Sequence, residues 1–145
     1  MPVSWAYFDT SVLVKRYVQE DGSSRACKLL KKYRILTSAI AVTETISALS
    51  RRRKLGELTP SHFAEILVKI RGDREYWEFV ELSALVLNKA DEVILQTDLR
   101  TLDAIHLASM LTFQSASSLK LPFITSDIKQ REAAVHLGVE TIWVA

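Results

Sequence analysis

The order of hydrophobic and polar residues along the chain shows two periodicities, one typical of strands and the other of helices. Short apolar or alternating runs predict strands at residues 3–8, 34–37, 76–82, 121–125 and 139–144. Apolar side chains three or four positions apart predict helices at residues 10–19, 22–33, 39–54, 60–70, 84–96, 101–113 and 127–138. Because the strands alternate with one or two helices, we predict a three-layer α/β/α domain with a mainly parallel sheet of four to five strands.

Residues with known preferences for helix ends predict some of the boundaries. Thr59 followed by Pro60 indicates a helix that begins at Pro60, since threonine is a good cap and proline suits the first turn. Ser38 is predicted to cap the next helix upstream, and Gly56 to end it.

Two aspartates, Asp9 and Asp127, follow predicted strands and precede predicted helices. The carboxyl ends of parallel strands meet at one edge of a sheet, and ligands bind in the crevice there. Asp9 and Asp127 are therefore predicted at that edge. Each also fits the simpler interpretation of a helix cap, because aspartate is among the preferred cap residues.

Two further acids, Asp103 and Glu44, lie inside predicted helices. The helix of Asp103 is apolar nearly all round, so this carboxylate must be a cap, be paired or bind a cation. Glu44 lies in the first turns of its helix, where a surface glutamate is favoured by the helix dipole. The small residues Ser47 and Ala48 on the same side leave room for a ligand to approach.

Length and composition restrict the class of protein. The 145 residues, 48% of them hydrophobic and 25% charged, predict a single globular domain over residues 1–145. A net charge of +2 means that nucleic-acid binding would need a local basic patch. The single cysteine, the lack of a secretory signal and the lack of an apolar run near the roughly 20 residues of a membrane span predict a cytoplasmic protein.

Four stretches of the sequence, in this order, resemble the PIN-domain family and most of all its VapC-type toxins of prokaryotic toxin–antitoxin pairs. The stretches are YFDTSVLVKRYVQEDGS, TSAIAVTETISALSRRRKLGEL, LRTLDAIHLASM and FITSDIKQREAAVHLGV, and the match runs in order from the first predicted strand to the last predicted helix. The resemblance implies a PIN-like fold and a divalent-metal-dependent ribonuclease. It also implies a homodimer and a cognate VapB-type antitoxin that silences the activity.

The same resemblance implies a set of site residues. The family's four acids correspond to Asp9, Glu44, Asp103 and Asp127, all predicted to be catalytic and to take part in metal binding. Hydroxyl residues that support the acids correspond to Ser11 and Thr125, and Thr10 also fits the first of these positions. Local capping of the backbone is the alternative for these hydroxyls.

Crowded carboxylates repel one another, by about 4 kcal/mol per pair at 4 Å and an effective dielectric constant of 20. A hard divalent cation relieves this repulsion, so Mg²⁺ is the predicted cofactor and Mn²⁺ should substitute for it. Such a site can activate water for attack on a phosphodiester. Carboxylates alone do not select RNA over DNA, so the RNA substrate is implied by the resemblance.

Three basic residues could hold the phosphates of an RNA substrate: Arg51, Lys15 and Arg100. A solvated helix end explains Arg51 equally well. His106 lies one turn after Asp103 and is predicted to be a hydrogen-bonded core histidine, because no zinc-like spacing links the three histidines.

Two other functions are alternatives to the ribonuclease. A non-catalytic PIN-like module that binds nucleic acid or protein would keep the fold without the chemistry. Phosphoryl transfer onto Asp9 is disfavoured, because the sequence FDTS lacks a second acid beside the nucleophile.

Overall fold

The computed structural model describes residues 4–145, and within them five short strands form one parallel sheet. The strands are β1 (Trp5–Phe8), β2 (Arg34–Ser38), β3 (Glu78–Val80), β4 (Phe123–Thr125) and β5 (Thr141–Trp143). Their order is β3-β2-β1-β4-β5, and every neighbouring pair is parallel. The predicted sheet is confirmed, although the first predicted strand also included Val3, which lies outside the described residues.

Seven α-helices connect and follow the strands within the described part of the chain. They are α1 (Thr10–Leu13), α2 (Ser23–Lys32), α3 (Ala41–Lys54), α4 (Pro60–Asp73), α5 (Ala84–Gln96), α6 (Thr101–Ser117) and α7 (Ile128–His136). A 3₁₀ turn, Val14–Arg16, continues α1, and a second one, Arg74–Tyr76, continues α4. Between residues 4 and 145 no helix combines the length and the apolar character that a membrane crossing requires.

Most predicted helix boundaries agree with the structure, and the disagreements have local causes. Thr59 caps α4 by accepting the His62 N–H, as predicted. Ser38 does not cap α3, because it is the last residue of β2 and its hydroxyl accepts the N–H of Ile40 in the turn. The helix predicted over residues 10–19 is shorter, because tertiary contacts of Arg16 hold the following segment in a tighter turn.

Alternating residues of β1 separate the core into two apolar layers. Ala6 and Phe8 pack with side chains of α1 to α4 on one face of the sheet. Tyr7 points the other way and packs with side chains of α5, α6 and α7. Because β1 is buried on both faces, its side chains point alternately to the two helical layers, and their contacts show which helices form each layer.

Strand β1 is the point at which the strand order reverses. From β1 the chain moves outward through β2 and β3, and it later returns to the opposite side of β1 to form β4 and β5. Phe8 pairs in register with Ile124, and the N–H of Asp9 donates to the Ile124 carbonyl at 3.2 Å. The segments that follow β1 and β4 therefore meet at the carboxyl edge, where open parallel sheets bind ligands.

Candidate active site

Asp9 lies at the end of β1, in the cap position of α1, and it is only 2% exposed. Its side chain caps none of the described backbone N–H groups. Instead Oδ1 accepts the Ser11 hydroxyl, and Oδ2 accepts the Thr125 hydroxyl at 2.6 Å. The cap interpretation of this side chain is therefore wrong, and both oxygens are held toward the sheet edge.

Burial raises the pKa of the Asp9 carboxyl to about 6. His106 and the hydroxyls of Ser11 and Thr125 lower this pKa, whereas the charge of Asp127 raises it further. Asp9 thus carries its negative charge at neutral pH in an environment that stabilises that charge poorly.

Asp127 follows β4 and caps α7, where its Oδ1 accepts the N–H of Gln130 at 3.0 Å. The cap interpretation is confirmed for this oxygen. The Thr125 hydroxyl accepts the N–H of Asp127 at 3.0 Å while it donates to Asp9. Thr125 therefore connects the two strand-end acids, and Ser11 supports the same loop by accepting the Ser126 N–H at 2.9 Å.

Asp103 lies in the first turn of α6 and is half-buried, while Arg100 occupies the cap position. Burial raises the pKa of Asp103, and the charges of Asp127 and Glu44 raise it further. The Gln130 amide donates to the Asp103 carbonyl at 3.1 Å and to its carboxylate at 3.4 Å. A single residue of α7 thus contacts the acid of α6.

Glu44 lies in the first turn of α3, but its side chain is only 21% exposed, so the interpretation as a surface glutamate is wrong. Its Oε1 accepts the Thr10 hydroxyl at 2.7 Å. His106 Nε2 lies 2.6 Å from the same oxygen. Glu44 is therefore held on the inner side of α3 by contacts from α1 and α6.

The electrostatic contacts among the four acids link them around one region at the carboxyl edge of the sheet, termed the acidic crevice. Asp127 acts electrostatically on both Asp9 and Asp103, and Glu44 acts on Asp103. Since each of these effects raises a pKa, the carboxylates lie near enough to repel one another. The fold thus brings these acids near one another, although they are far apart in the sequence.

The donor set of this crevice fits a hydrated hard cation. All four side chains supply oxygen, the ligand that Mg²⁺ and Mn²⁺ prefer. Within residues 4–145 no group of three or more acidic, histidine or cysteine side chains is arranged to hold a metal ion. The described side chains alone therefore do not form a metal cage, and a metal at this place stays a prediction. Mg²⁺ commonly takes only one or two carboxylates and keeps several waters.

The three predicted phosphate-binding residues lie in different environments. Lys15 is buried, and its ammonium group donates to the Asp21 carbonyl and to Glu20, so its position does not support RNA binding. Arg51 is exposed and lies with Glu44 along one groove. Arg100 is exposed at the start of α6, the helix that carries Asp103.

That groove has a volume of about 560 Å³ and lies between α1, α3 and the start of α6. Its polar end contains Thr10, Glu44 and Arg51, and its remaining wall is mainly apolar, with Ile40 and Leu102. A groove that joins an acidic crevice to a basic side chain can accommodate a polymer with phosphates along its backbone.

For three residues of the site, the sequence indicated their role only in part or not at all. His106 is a hydrogen-bonded core histidine, as predicted, but its contact with Glu44 was missed. Its position one turn after Asp103 indicates a shared helix face, although not a partner on another helix. Tyr7 and Gln130 gave no signal, because an aromatic residue in a strand and a glutamine in a helix usually have only structural roles.

Comparison with known proteins identifies relatives of the whole fold. A family model described as PIN domain matches residues 6–135. Ribonuclease VapC45 of Mycobacterium tuberculosis (strain CDC 1551 / Oshkosh) is 35% identical over 112 residues, covering 72% of this chain and 74% of the relative. Ribonuclease VapC49 of Mycobacterium tuberculosis (strain ATCC 25618 / H37Rv) matches with the same identity and coverage.

Two solved structures have the same fold. A toxin–antitoxin complex from Klebsiella pneumoniae matches with a TM-score of 0.62 and 17% identity, over 94% of this chain and 95% of that chain. VapBC2 from Rickettsia felis, bound to a DNA fragment from their promoter, matches with a TM-score of 0.64 and 14% identity, over 95% and 97%. At such identities the likeness shows the fold alone.

Proposed function

Because this chain belongs to the PIN-domain family, we propose that it is a divalent-metal-dependent endoribonuclease, the toxin of a toxin–antitoxin pair. The observation that carries the proposal is the convergence of Asp9, Glu44, Asp103 and Asp127 on one crevice at the reversal point of the sheet. The two Mycobacterium tuberculosis relatives are named ribonucleases, which supports RNA as the substrate.

In this proposal Asp9, Asp103 and Asp127 hold Mg²⁺ or Mn²⁺, directly or through water. When bound, the ion supplies a water of lowered pKa and stabilises charge on the scissile phosphate. Glu44 comes from the helical layer opposite that of Asp103 and is held there by Thr10 and His106. In this proposal it binds the attacking water or coordinates the metal ion.

The hydroxyls of Ser11 and Thr125 hold the carboxylate of Asp9 in place. Each donates to a different oxygen of Asp9, so rotation of the carboxylate would break one of the two bonds. Partners of this kind orient metal ligands and commonly change metal affinity or activity by about 10- to 100-fold when removed.

Arg51 and Arg100 are the proposed phosphate contacts. Both are exposed near residues of the acidic crevice, and guanidinium groups bind phosphate oxygens in a planar, two-point geometry. Lys15 is omitted from this role because its ammonium group is bound inside the fold.

The proposed partner is a cognate VapB-type antitoxin that covers the acidic crevice. The two structural matches are a toxin–antitoxin complex and VapBC2, and this chain offers a mainly apolar groove beside Glu44 and Arg51. A segment with apolar side chains and one basic residue would fit both the wall of the groove and the carboxylates. A homodimer stays a prediction of the family resemblance.

The decisive test compares RNA cleavage by the wild type, Asp9→Asn and Asp127→Asn, with Asp91→Asn as the control. Asp91 is exposed on α5 and lies outside the crevice. We expect each site variant to lose activity by about 100-fold or more in Mg²⁺, the scale of one strong transition-state contact. A chelator should abolish wild-type cleavage, and Mn²⁺ should restore it.

Retained cleavage in folded Asp9→Asn would contradict the assignment of the site. If pure, folded wild type cleaves no RNA with either ion, the alternative of a non-catalytic PIN-like binding module is favoured. Addition of the antitoxin encoded beside this gene should inhibit cleavage, and failure to form a complex would contradict the proposed partner.

A further inference from the structure

A buried polar chain leads from the core of the sheet to Glu44. Tyr7 in β1 is fully buried, and His106 in α6 is 1% exposed. The Tyr7 hydroxyl lies 2.8 Å from His106 Nδ1, and Nε2 lies 2.6 Å from Glu44 Oε1. Buried polar groups without a partner are costly, so this arrangement needs an explanation beyond the filling of space.

Tyr7 and Glu44, the two partners of the imidazole, indicate the role of each ring nitrogen of His106. A carboxylate oxygen accepts, so the Nε2–H of the imidazole is the donor in the contact with Glu44. Burial raises the pKa of the Tyr7 hydroxyl well above its ordinary value, so Tyr7 keeps its proton and can donate to Nδ1. Both ring nitrogens of His106 are thus engaged, Nδ1 by the Tyr7 hydroxyl and Nε2 by the Glu44 carboxylate.

Thr10 completes the network at the surface of the crevice. Its hydroxyl donates to the same Oε1 at 2.7 Å and lies 3.1 Å from Nε2. Glu44 Oε1 therefore receives two donors from two different helices.

The contact between His106 and Glu44 joins the two helical layers of the fold. α3 belongs to the layer on one face of the sheet, and α6 belongs to the layer on the other face. Asp103 lies one turn before His106 on α6, so this hydrogen bond also sets the distance between the acids of α3 and α6. Glu44 and Asp103 repel each other, which would open the crevice if nothing held the helices together.

We propose that His106, anchored by Tyr7, is a positioning residue that fixes the carboxylate of Glu44 and the width of the acidic crevice. A core role alone would need only an apolar group of similar size at this place. A positioning role needs a donor at Nε2 and a partner that holds the ring at Nδ1. The kinetic part of the inference rests on the proposed ribonuclease function.

The first test compares His106→Gln with His106→Leu, and uses His136→Gln as the matched control at an exposed histidine of α7. The glutamine amide can donate to Glu44, whereas leucine fills the space without a donor. We expect His106→Leu to lower kcat by about 10- to 100-fold with little change in KM. His106→Gln should keep a larger share of the wild-type kcat. A purely structural role predicts the reverse order, because an apolar core accepts leucine better than an amide.

Tyr7→Phe provides a variant that should fold, since it removes one hydroxyl and keeps the ring. Without the Tyr7 hydroxyl, Nδ1 loses its hydrogen-bond partner, and the proton of the ring can then occupy either nitrogen. We expect the ¹⁵N spectrum of the ring nitrogens to show His106 with its proton on Nε2 in the wild type and a mixture of tautomers in Tyr7→Phe. The spectrum of His106→Gln identifies the signals of His106 among the three histidines. A wild-type Nε2 that carries no proton would overturn the proposal.

Crystal structures of the two His106 variants give a readout that does not depend on catalysis. The Glu44 carboxylate should stay in place in His106→Gln and move away from α6 in His106→Leu. An unmoved carboxylate in His106→Leu, or equal kcat in both variants, would contradict the positioning role. If the wild type cleaves no RNA, the proposed function fails, while the spectra and structures still decide the positioning role.

Discussion

At the scale of single residues, Asp9 combines a functional position with an energetic cost. It is 2% exposed, and two hydroxyls satisfy its oxygens, but hydrogen bonds from neutral groups do not replace the hydration of a carboxylate. A bound cation would offset this cost, as the proposed metal site requires.

The raised pKa of Asp9 predicts how stability depends on pH in the metal-free protein. The folded pKa of about 6 lies above the ordinary value of 3.8, so the stabilising effect of the protonated form is fully present below pH 4. It disappears as the pH rises through 6. The free energy of unfolding of Asp9→Asn should therefore be close to that of the wild type at pH 4. At pH 7 and above it should exceed the wild-type value by up to about 3 kcal/mol.

Urea denaturation of both proteins in a chelator, from pH 4 to pH 8, measures this difference. Because the other titrating groups are common to both proteins, their contributions largely cancel. Asp91→Asn should show no such trend. A difference between Asp9→Asn and the wild type that does not change with pH would contradict the prediction.

At the scale of elements, a half-buried cluster joins the segment after α1 to α4. Arg16 contacts both oxygens of Asp73, at 2.7 and 3.0 Å, and the Tyr17 hydroxyl donates to Asp73 at 2.7 Å. Burial alone would raise the pKa of Asp73, but the hydrogen bonds of Arg16 and Tyr17 hold this pKa below its ordinary value. The cluster holds the 3₁₀ turn after α1, and thereby the loop that carries Asp9.

Asp73→Asn should therefore destabilise the protein at neutral pH by about 1 to 3 kcal/mol, since it removes the charged acceptor of three hydrogen bonds. Because the folded pKa is depressed, the difference should shrink as the pH falls below the ordinary range of a carboxyl. Chemical denaturation of both proteins at several pH values measures this difference in unfolding free energy. Glu92→Gln breaks an exposed ion pair with Lys89 and should change stability by less than about 0.5 kcal/mol; an equal effect of both substitutions would argue against the cluster.

At the scale of the whole molecule, the acidic crevice is formed by both helical layers and the sheet between them. Asp9 and Asp127 come from strand ends, Glu44 from one layer and Asp103 from the other. A cation bound at this place would contact parts of the chain that separate on unfolding. Binding to the native state alone stabilises the whole fold.

Mg²⁺ at ten times its Kd should stabilise the wild type by about 1.4 kcal/mol and raise Tm by roughly 3 to 6 °C. Asp9→Asn should lack this shift, even where its metal-free Tm is higher than that of the wild type. Thermal denaturation with Mg²⁺ and with a chelator measures both effects, and Asp91→Asn should respond as the wild type does. A shift of equal size in Asp9→Asn would mean that the ion binds elsewhere.

Local patterns predicted much of the fold, and they failed where tertiary contacts compete. The cap at Thr59 and the helix Ala84–Gln96 agree with the structure, because these signals act within a few residues. Ser38 was misplaced, since a serine at the end of a strand and a serine before a helix look alike in sequence. The prediction that the helix continues after Leu13 was wrong, because the conformation of that segment depends on Asp73 in α4.

The sequence by itself determined the elements, the parallel α/β class and four candidate acids, because hydrophobic period and family motifs are properties of the chain. Only the tertiary structure decided what those acids contact. Asp9 could equally have been a cap until its oxygens were found on Ser11 and Thr125, and Glu44 could have been a surface residue until His106 was found beside it. The reason is physical: burial, hydrogen-bond partners and pKa values arise from groups that are distant in the chain, and only the packing of the two layers against the sheet brings them together.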